Sequence, residues 1–338
     1  MKRIFVGGTG RSGTTILSQW LGSHSSVAKF PVESRFLIDF GGVMSLFNAV
    51  TRDYSMDQSR VTFREFKRLM HQDLVSPDQS PYQGIELASI FGPLYYDSLS
   101  KLESKLCIKS FDGWDYHTPR SLPRVMHRLV VKAGHLLNAL SLGRSQLGKR
   151  LIYPAERMYA IRRLGREEAI ETFGRFVKVL FDGWAESKGA TGWCEDTPAN
   201  ACHLQFLMQL VPESRHFCIV RNPYGTTLSY MRQVWAPRDF SACVQLLASL
   251  YGKIIEEIES LEPEERVRLK IVRLEDLHYT ETLDDVSRFA DIRREDGDGS
   301  IRIRAVDQEQ EKRLFPTVQR LEVERKLGFV MNYFGYNV

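Results

Sequence analysis

Nine residues near the N-terminus, Gly7-Gly8-Thr9-Gly10-Arg11-Ser12-Gly13-Thr14-Thr15, combine the groups that anion chemistry needs: glycines for tight backbone, one cation and several hydroxyls. The apolar run Arg3 to Val6 precedes them, and Ile16, Leu17, Trp20 and Leu21 follow at helical spacing, so the segment reads as strand, loop and helix. Backbone N–H groups of such a loop, together with the helix N-terminus, make a site for an anion, most often phosphate. Three ligand readings fit. Gly8-x-Gly10-x-x-Gly13 matches a dinucleotide fingerprint, and Glu33 lies twenty residues beyond Gly13. Gly8 and Gly13 also have Walker A spacing, but Thr14 stands where the phosphate-binding lysine belongs. In the third reading, Arg11 supplies the charge inside the loop while Ser12, Thr14 and Thr15 surround a phosphate-linked anion. The bland alternative is a tight turn with no ligand.

A second constellation begins at Arg215 and reads as a strand ending in Arg221, a turn at Asn222-Pro223, and a helix carrying Ser229 eight residues after the arginine. An arginine at a strand's carboxyl end, joined by a hydroxyl, suits a terminal phosphate, because guanidinium binds it bidentately. Arg221 alone would read as a surface ion pair. Together, Arg11-Ser-Gly-Thr-Thr15 resembles the 5′-phosphosulfate loop, and Arg221 to Ser229 the 3′-phosphate motif, of sulfotransferases that use 3′-phosphoadenosine 5′-phosphosulfate. Trp193-Cys-Glu-Asp-Thr-Pro198 resembles that family's Trp-x-x-Lys-Thr-Pro, and Leu274-Glu-Asp-Leu277 its Tyr-Glu-Asp-Leu. The resemblance covers about residues 1 to 36, 190 to 235 and 268 to 280, and leaves the middle third unmatched. It departs at Asp196, which replaces the family's lysine; Lys109 or Arg35 would have to restore the missing cation, if any residue does.

The resemblance implies that Arg11, Ser12, Gly13, Thr14 and Thr15 hold the 5′-phosphosulfate, that Arg221 and Ser229 hold the 3′-phosphate, and that 3′,5′-adenosine bisphosphate is released. Transfer to an acceptor hydroxyl is an in-line displacement helped by alignment and charge stabilisation, with Arg11 beside the transferred group and no metal ion expected. The acceptor needs a base. Glu33, in Phe30-Pro-Val-Glu-Ser-Arg-Phe36, follows an apolar run over residues 27 to 32 that reads as the second strand, and Arg35 follows it by two, as in carbohydrate and tyrosine sulfotransferases. Its competing reading is a helix-capping or salt-bridged carboxylate. His24, near the end of the first helix, and His117, in a polar loop, are weaker candidates.

The elements that must position these groups alternate in both outer thirds of the chain. Strands around residues 3 to 6, 27 to 32, 192 to 194, 215 to 220 and 269 to 274 are separated by helical patterns, which implies βαβ crossovers and a parallel sheet flanked by helices. With the resemblance, the expected architecture is one α/β domain over residues 1 to 338, a P-loop nucleotide-kinase-like sulfotransferase fold. Residues 37 to 190 would form a large, mostly helical insertion, the expected acceptor region. Turn-rich stretches interrupt it at residues 76 to 84 and 113 to 123. Residues 291 to 313 read as a surface loop and solvated helix without chemistry.

Of 338 residues, 43% are hydrophobic and 26% charged, which excludes wholesale disorder, collagen and coiled coil. Five scattered cysteines without a C-x-x-C pair argue against a disulfide framework or zinc site. The glycine-rich start lacks a signal peptide's apolar core, and no run reaches the about 18 to 20 apolar residues of a membrane span, so the expectation is a cytoplasmic protein. A net charge of +4 is too small for a general nucleic-acid coat, and no nucleic-acid partner is expected. The charge is unevenly placed: residues 118 to 166 hold eleven lysines and arginines against a single acid, Glu156. Within them, Leu122, Val125, Leu129, Leu136 and Leu140 lie at helical spacing, a basic amphipathic helix. It suits an anionic acceptor, contact with an anionic membrane surface, or a solvated basic face on a core helix. The alternatives to a sulfotransferase are an NAD(P)-binding Rossmann oxidoreductase and a nucleotide-binding protein without turnover.

Overall fold

Ile4-Phe5-Val6 forms the middle of a sheet rather than its edge, and a strand covered on both faces needs this uninterrupted apolar run. The structure is a computed structural model that describes residues 1–71, 73–75, 84–113, 124–142, 144–152, 156–293 and 308–336. Its strands are β1 (Lys2–Gly8), β2 (Val27–Lys29), β3 (Asp73–Val75), β4 (Gly84–Glu86), β5 (Cys107–Gly113), β6 (Glu156–Ile161), β7 (Gly192–Glu195), β8 (Arg215–Val220) and β9 (Leu269–Arg273). Five of them make one sheet in the order β2-β7-β1-β8-β9, with every pairing parallel. Counted by their own succession in the chain, these strands run 2-3-1-4-5 across the sheet.

That order decides where a ligand can sit. From β1 the chain passes to one side, to β2 and then β7, and afterwards crosses to the other side for β8 and β9. The switch point therefore lies between the carboxyl ends of β1 and β8, where the two connections leave in opposite directions and open a crevice. The order also differs from the 3-2-1-4-5-6 arrangement of dinucleotide-binding sheets, because β7 separates β1 from β2. The glycine fingerprint thus lacks the neighbouring second strand that a Rossmann reading requires.

Alternation along the central strands divides the core. Ile4 and Val6 of β1, with Phe217 and Ile219 of β8, face the helices Thr14–Gly22 and Thr280–Ala290. Phe5 and Trp193 face the long helix Arg166–Ser187, with Trp193 against Phe181 at 4.8 Å. Cys218 and Val220 pack on the same side under the helices Phe240–Glu259 and Thr317–Phe334.

Between residues 37 and 190 the described chain is mainly helical, but it also carries two antiparallel pairs, β3 with β4 and β5 with β6, that the sequence reading missed. Strand β5 is half-exposed along its length, so it has no clean apolar alternation to read. The turn-rich expectations at 76 to 84 and 113 to 123 fall almost wholly outside the described residues. Among the described residues, no helix is long and apolar enough to cross a membrane.

Candidate functional site

The site is built where β1 leaves the sheet. Gly8 lies so close to β8 that an added Cβ would meet the Ile219 carbonyl oxygen and Ser12 Oγ, each at 2.4 Å, so only glycine lets the loop start here. Gly10, Arg11 and Gly13 then take positive φ values of 76°, 58° and 102°. Left-handed residues in such a turn direct successive N–H groups toward one concavity. Helix Thr14–Gly22 begins immediately afterwards and adds its free N-terminal donors. Ser12 Oγ is fully buried and has no hydrogen-bond partner among the described residues. A buried hydroxyl normally finds a partner, so this orphan beneath an anion-type loop fits a phosphate or sulfate oxygen there.

Arg221, Ser229 and Arg11 come together across the crevice. Arg11 Nε donates to Ser229 Oγ at 3.1 Å, and Arg221 Nη1 reaches the Arg11 carbonyl oxygen at 3.5 Å. The turn after β8 that makes this possible is held from several sides. Asn222 caps helix Pro223–Met231 by accepting from the Gly225 N–H at 2.8 Å, with Pro223 starting the helix. Glu275 accepts from Asn222 N at 2.9 Å and Asn222 Nδ2 at 2.7 Å, and from the Tyr336 hydroxyl at 2.9 Å. Tyr251 donates to the Arg221 carbonyl at 2.7 Å, and Tyr230 donates to the Thr9 carbonyl. Leu274-Glu-Asp-Leu277 is thereby a positioning segment: its glutamate fixes the turn that aims Arg221.

Arg221 is not free. Its guanidinium forms an ion pair with Glu311, whose other oxygen accepts from Asn222 Nδ2 at 2.7 Å. The carboxylate lies over the first turn of helix Pro223–Met231, within 2.1 Å of where a Cβ on Gly225 would stand. An anion thus already sits against Arg221, Asn222 and a helix N-terminus. This corrects the reading of residues 291 to 313 as solvated and without chemistry; Glu311, in the short helix Gln308–Arg313, is the missed residue. Nothing in its local sequence, Gln308-Glu-Gln-Glu-Lys-Arg313, marks one acid over another.

Glu33 lies at the same end of the sheet, on the β2 and β7 side. Strand β2 stops at Lys29, earlier than the expected Val32: Phe30 N still donates to Cys194 O at 2.8 Å, but Pro31 has no N–H to continue the ladder. The loop bearing Glu33 is held instead by β7. Ser34 N donates to Glu195 Oε1 at 3.0 Å, and Arg35 N to Thr197 Oγ1 at 3.3 Å. Glu195 is fully buried; Thr197 N donates to it at 2.9 Å and Asn200 Nδ2 at 2.5 Å. Arg35 has a φ of 49°, an uncommon value for a non-glycine residue, and its Nε is taken by Asp39 at 2.8 Å. Glu33 itself has no hydrogen bond or ion pair among the described residues. Burial, the largest cause, pushes its carboxyl up to about 7; Arg35 opposes this, and Asp196, Glu195 and Asp39 add to it. A carboxylate poised near neutrality can accept a proton from a hydroxyl.

Asp196 receives a hydrogen bond from Ser18 Oγ at 2.5 Å, and Lys29 Nζ stands 3.7 Å from the same oxygen. The cation in ion-pair range of Asp196 is Lys29; Lys109 lies on β5, in the separate antiparallel pair, and the Arg35 guanidinium is held by Asp39. His24 is buried, stacked edge-on against Trp20 at 4.7 Å with Nδ1 3.0 Å from the Trp20 carbonyl oxygen, out of reach of an acceptor. His117 lies outside the described residues. A cleft of about 690 Å3 near Arg3 and Asp182 opens at the amino end of β1, away from the loops that carry these groups.

No family model matches the sequence, and no curated protein matches it. Among solved structures, the chain is similar to the sulfotransferase domain from the curacin biosynthetic pathway, with 14% identity over 100% of this chain and 98% of that one, at a TM-score of 0.47. It is similar also to the sulfotransferase domain of the Synechococcus PCC 7002 olefin synthase, with 10% identity, coverage of 100% and 95%, and a TM-score of 0.46. For the sulfotransferase STF9 from Mycobacterium avium the identity is 12%, the coverage 100% and 78%, and the TM-score 0.40.

Proposed function

We propose that this chain is a sulfotransferase that moves a sulfuryl group from 3′-phosphoadenosine 5′-phosphosulfate to an acceptor hydroxyl. The observation that carries the reading is the meeting of Arg11, Ser229 and Arg221, two anion-binding motifs more than 200 residues apart, at the carboxyl ends of adjacent parallel strands. One glycine loop would suit many nucleotides. A second cationic subsite beside it suits a nucleotide with a second, separate phosphate.

The donor supplies an activated sulfuryl group on a phosphate leaving group. The backbone of Gly13, Thr14 and Thr15, with the Ser12 hydroxyl and the Arg11 guanidinium, holds the 5′ end and balances charge that develops on the leaving phosphate. Arg221 and Ser229 hold the 3′-phosphate, which requires the Glu311 carboxylate to yield its place. Glu33 takes the proton from the acceptor hydroxyl at its carboxylate oxygen, and half-burial keeps it basic enough to do so near pH 7. Glu195 and Thr197 are positioning residues for that carboxylate. The acceptor region is the segment from residue 37 to 190, whose basic stretch would favour an anionic acceptor.

Calorimetric titration with 3′,5′-adenosine bisphosphate in the absence of magnesium tests the reading, with 5′-AMP, ATP and NAD as controls. Tight binding that depends on the 3′-phosphate is expected. No binding, or preference for NAD, would overturn it.

A further inference from the structure

The helices Arg124–Leu140 and Gln146–Ile152 form a hairpin that packs principally on itself. Their crossing is glycine on glycine: a Cβ at Gly134 would lie 2.9 Å from the Gly148 oxygen, and one at Gly148 would lie 2.8 Å from the Gly134 oxygen. Such close contact fixes one face of the longer helix. Another face is left bare, and it is apolar. Met126, Leu129, Leu136 and Leu140 follow one another at helical spacing, and both Leu129 and Leu136 are 61% exposed and Leu140 75%. Leu147, on the second helix, is also exposed, and Leu142 in the connection is 89% exposed with a φ of 50°. A left-handed connection ordinarily takes glycine or asparagine, so a leucine held open there is an unusual choice.

Cations border this apolar surface. Arg128 and Lys132 lie beside the leucine stripe, Arg144 and Lys149 lie on the rest of the hairpin, and all four are exposed without an ion-pair partner among the described residues. The sequence from 124 to 152 contains no aspartate or glutamate. A solvated face on a core helix would turn its leucines inward, and this one does not.

We infer that the hairpin docks on an anionic lipid bilayer, with Met126, Leu129, Leu136, Leu140 and Leu142 entering the headgroup boundary and Arg128 and Lys132 against lipid phosphates and carboxylates. Charge complementarity selects this occupant. A second copy stacked on this same hairpin would bring the same cations and no acid to meet them, and a nucleic acid would set its phosphates against bare leucines. Because no described helix can cross a membrane, the contact is interfacial. The inference is independent of the proposed reaction and holds for any activity of the crevice.

Co-sedimentation of the full chain with vesicles of phosphatidylcholine alone, or of phosphatidylcholine with phosphatidylserine, tests it. Binding is expected to the mixed vesicles only and to weaken with salt. The pairs Leu136→Gln with Leu140→Gln, and Arg128→Glu with Lys132→Glu, are each expected to lower it at least about tenfold while the melting curve stays unchanged. Should either pair unfold the chain, Leu140→Trp decides alone: a blue-shifted emission, beyond that of the parent protein, on adding mixed vesicles supports the inference, and an unchanged spectrum refutes it. Absence of binding at low salt, or equal binding by the pairs and the parent, overturns it. So does a concentration-dependent dimer abolished by the leucine pair, which would make the face a contact between copies.

Discussion

The two flanks of the crevice each present a carboxylate, in opposite circumstances. On the β8 side, Glu311 is tied to Arg221 and Asn222, so its charge is spent locally. On the β2 and β7 side, Glu33 has no partner among the described residues, and burial among other acids lifts its pKa to about 7. The difference teaches that a site's sequence types say little until their pairing is known. An unpaired, half-buried acid holds a proton near neutrality and can trade it; a paired one acts as a fixed counter-ion, and what it occupies is a place for an anion.

The sharpest way to break this comparison is Glu33→Gln. Turnover should fall about 10²- to 10⁴-fold while bisphosphate affinity changes by less than about twofold, as read from steady-state kinetics and calorimetry. For the proposed transfer by the parent chain, the rate should fall as pH drops below about 7, because protonation removes the base. Next in size is Arg221→Ala, expected to weaken 3′,5′-adenosine bisphosphate by about 10- to 100-fold and 5′-AMP hardly at all. The counterpart on the same flank has the opposite sign: Glu311→Gln should tighten the bisphosphate about three- to tenfold, since the ligand no longer displaces a charge from Arg221.

The smallest effect concerns stability. Glu33 has a folded pKa raised from 4.5 to about 7, so the folded chain holds more protons than the unfolded one in that interval and loses stability as pH rises through it. Glu33→Gln should melt with the parent below pH 4.5 and above it in temperature beyond pH 7. The difference is about 1 kcal/mol after allowing for solvent at a half-buried side chain, or roughly 1 to 3 °C. Equal melting temperatures at all pH values would show that Glu33 is not desolvated.

The parallel sheet, the loop after β1 and the turn after β8 are legible in the sequence because glycine spacing, strand-length apolar runs and an Asn-Pro turn are local signals. By apolar pattern alone strand β2 extends to Val32, three residues beyond its end at Lys29, whereas Pro31 ends the ladder. What sequence could not show were pairings between distant residues of common type: Lys29 beside Asp196, Glu195 beneath Ser34, and Glu311 on Arg221. Each joins an ordinary lysine or glutamate to a partner between 90 and 170 residues away, with nothing in its own neighbourhood to flag it. The basic middle segment was legible as amphipathic, but only its exposure distinguishes a bare apolar face from a core one.

The position of β1 has a consequence for how the protein is made. Of the five strands in this sheet, the one earliest in the chain is its centre, and its two neighbours, β7 and β8, begin at residues 192 and 215. At about 5 to 20 residues per second, Ile4-Phe5-Val6 waits roughly 10 to 40 seconds on the ribosome before either edge can be hydrogen-bonded. The glycine loop is thus made well before β8, the strand it packs against. Refolding of the isolated chain should be slow, and a nascent fragment ending before residue 192 presents two open strand edges to whatever chaperone meets it.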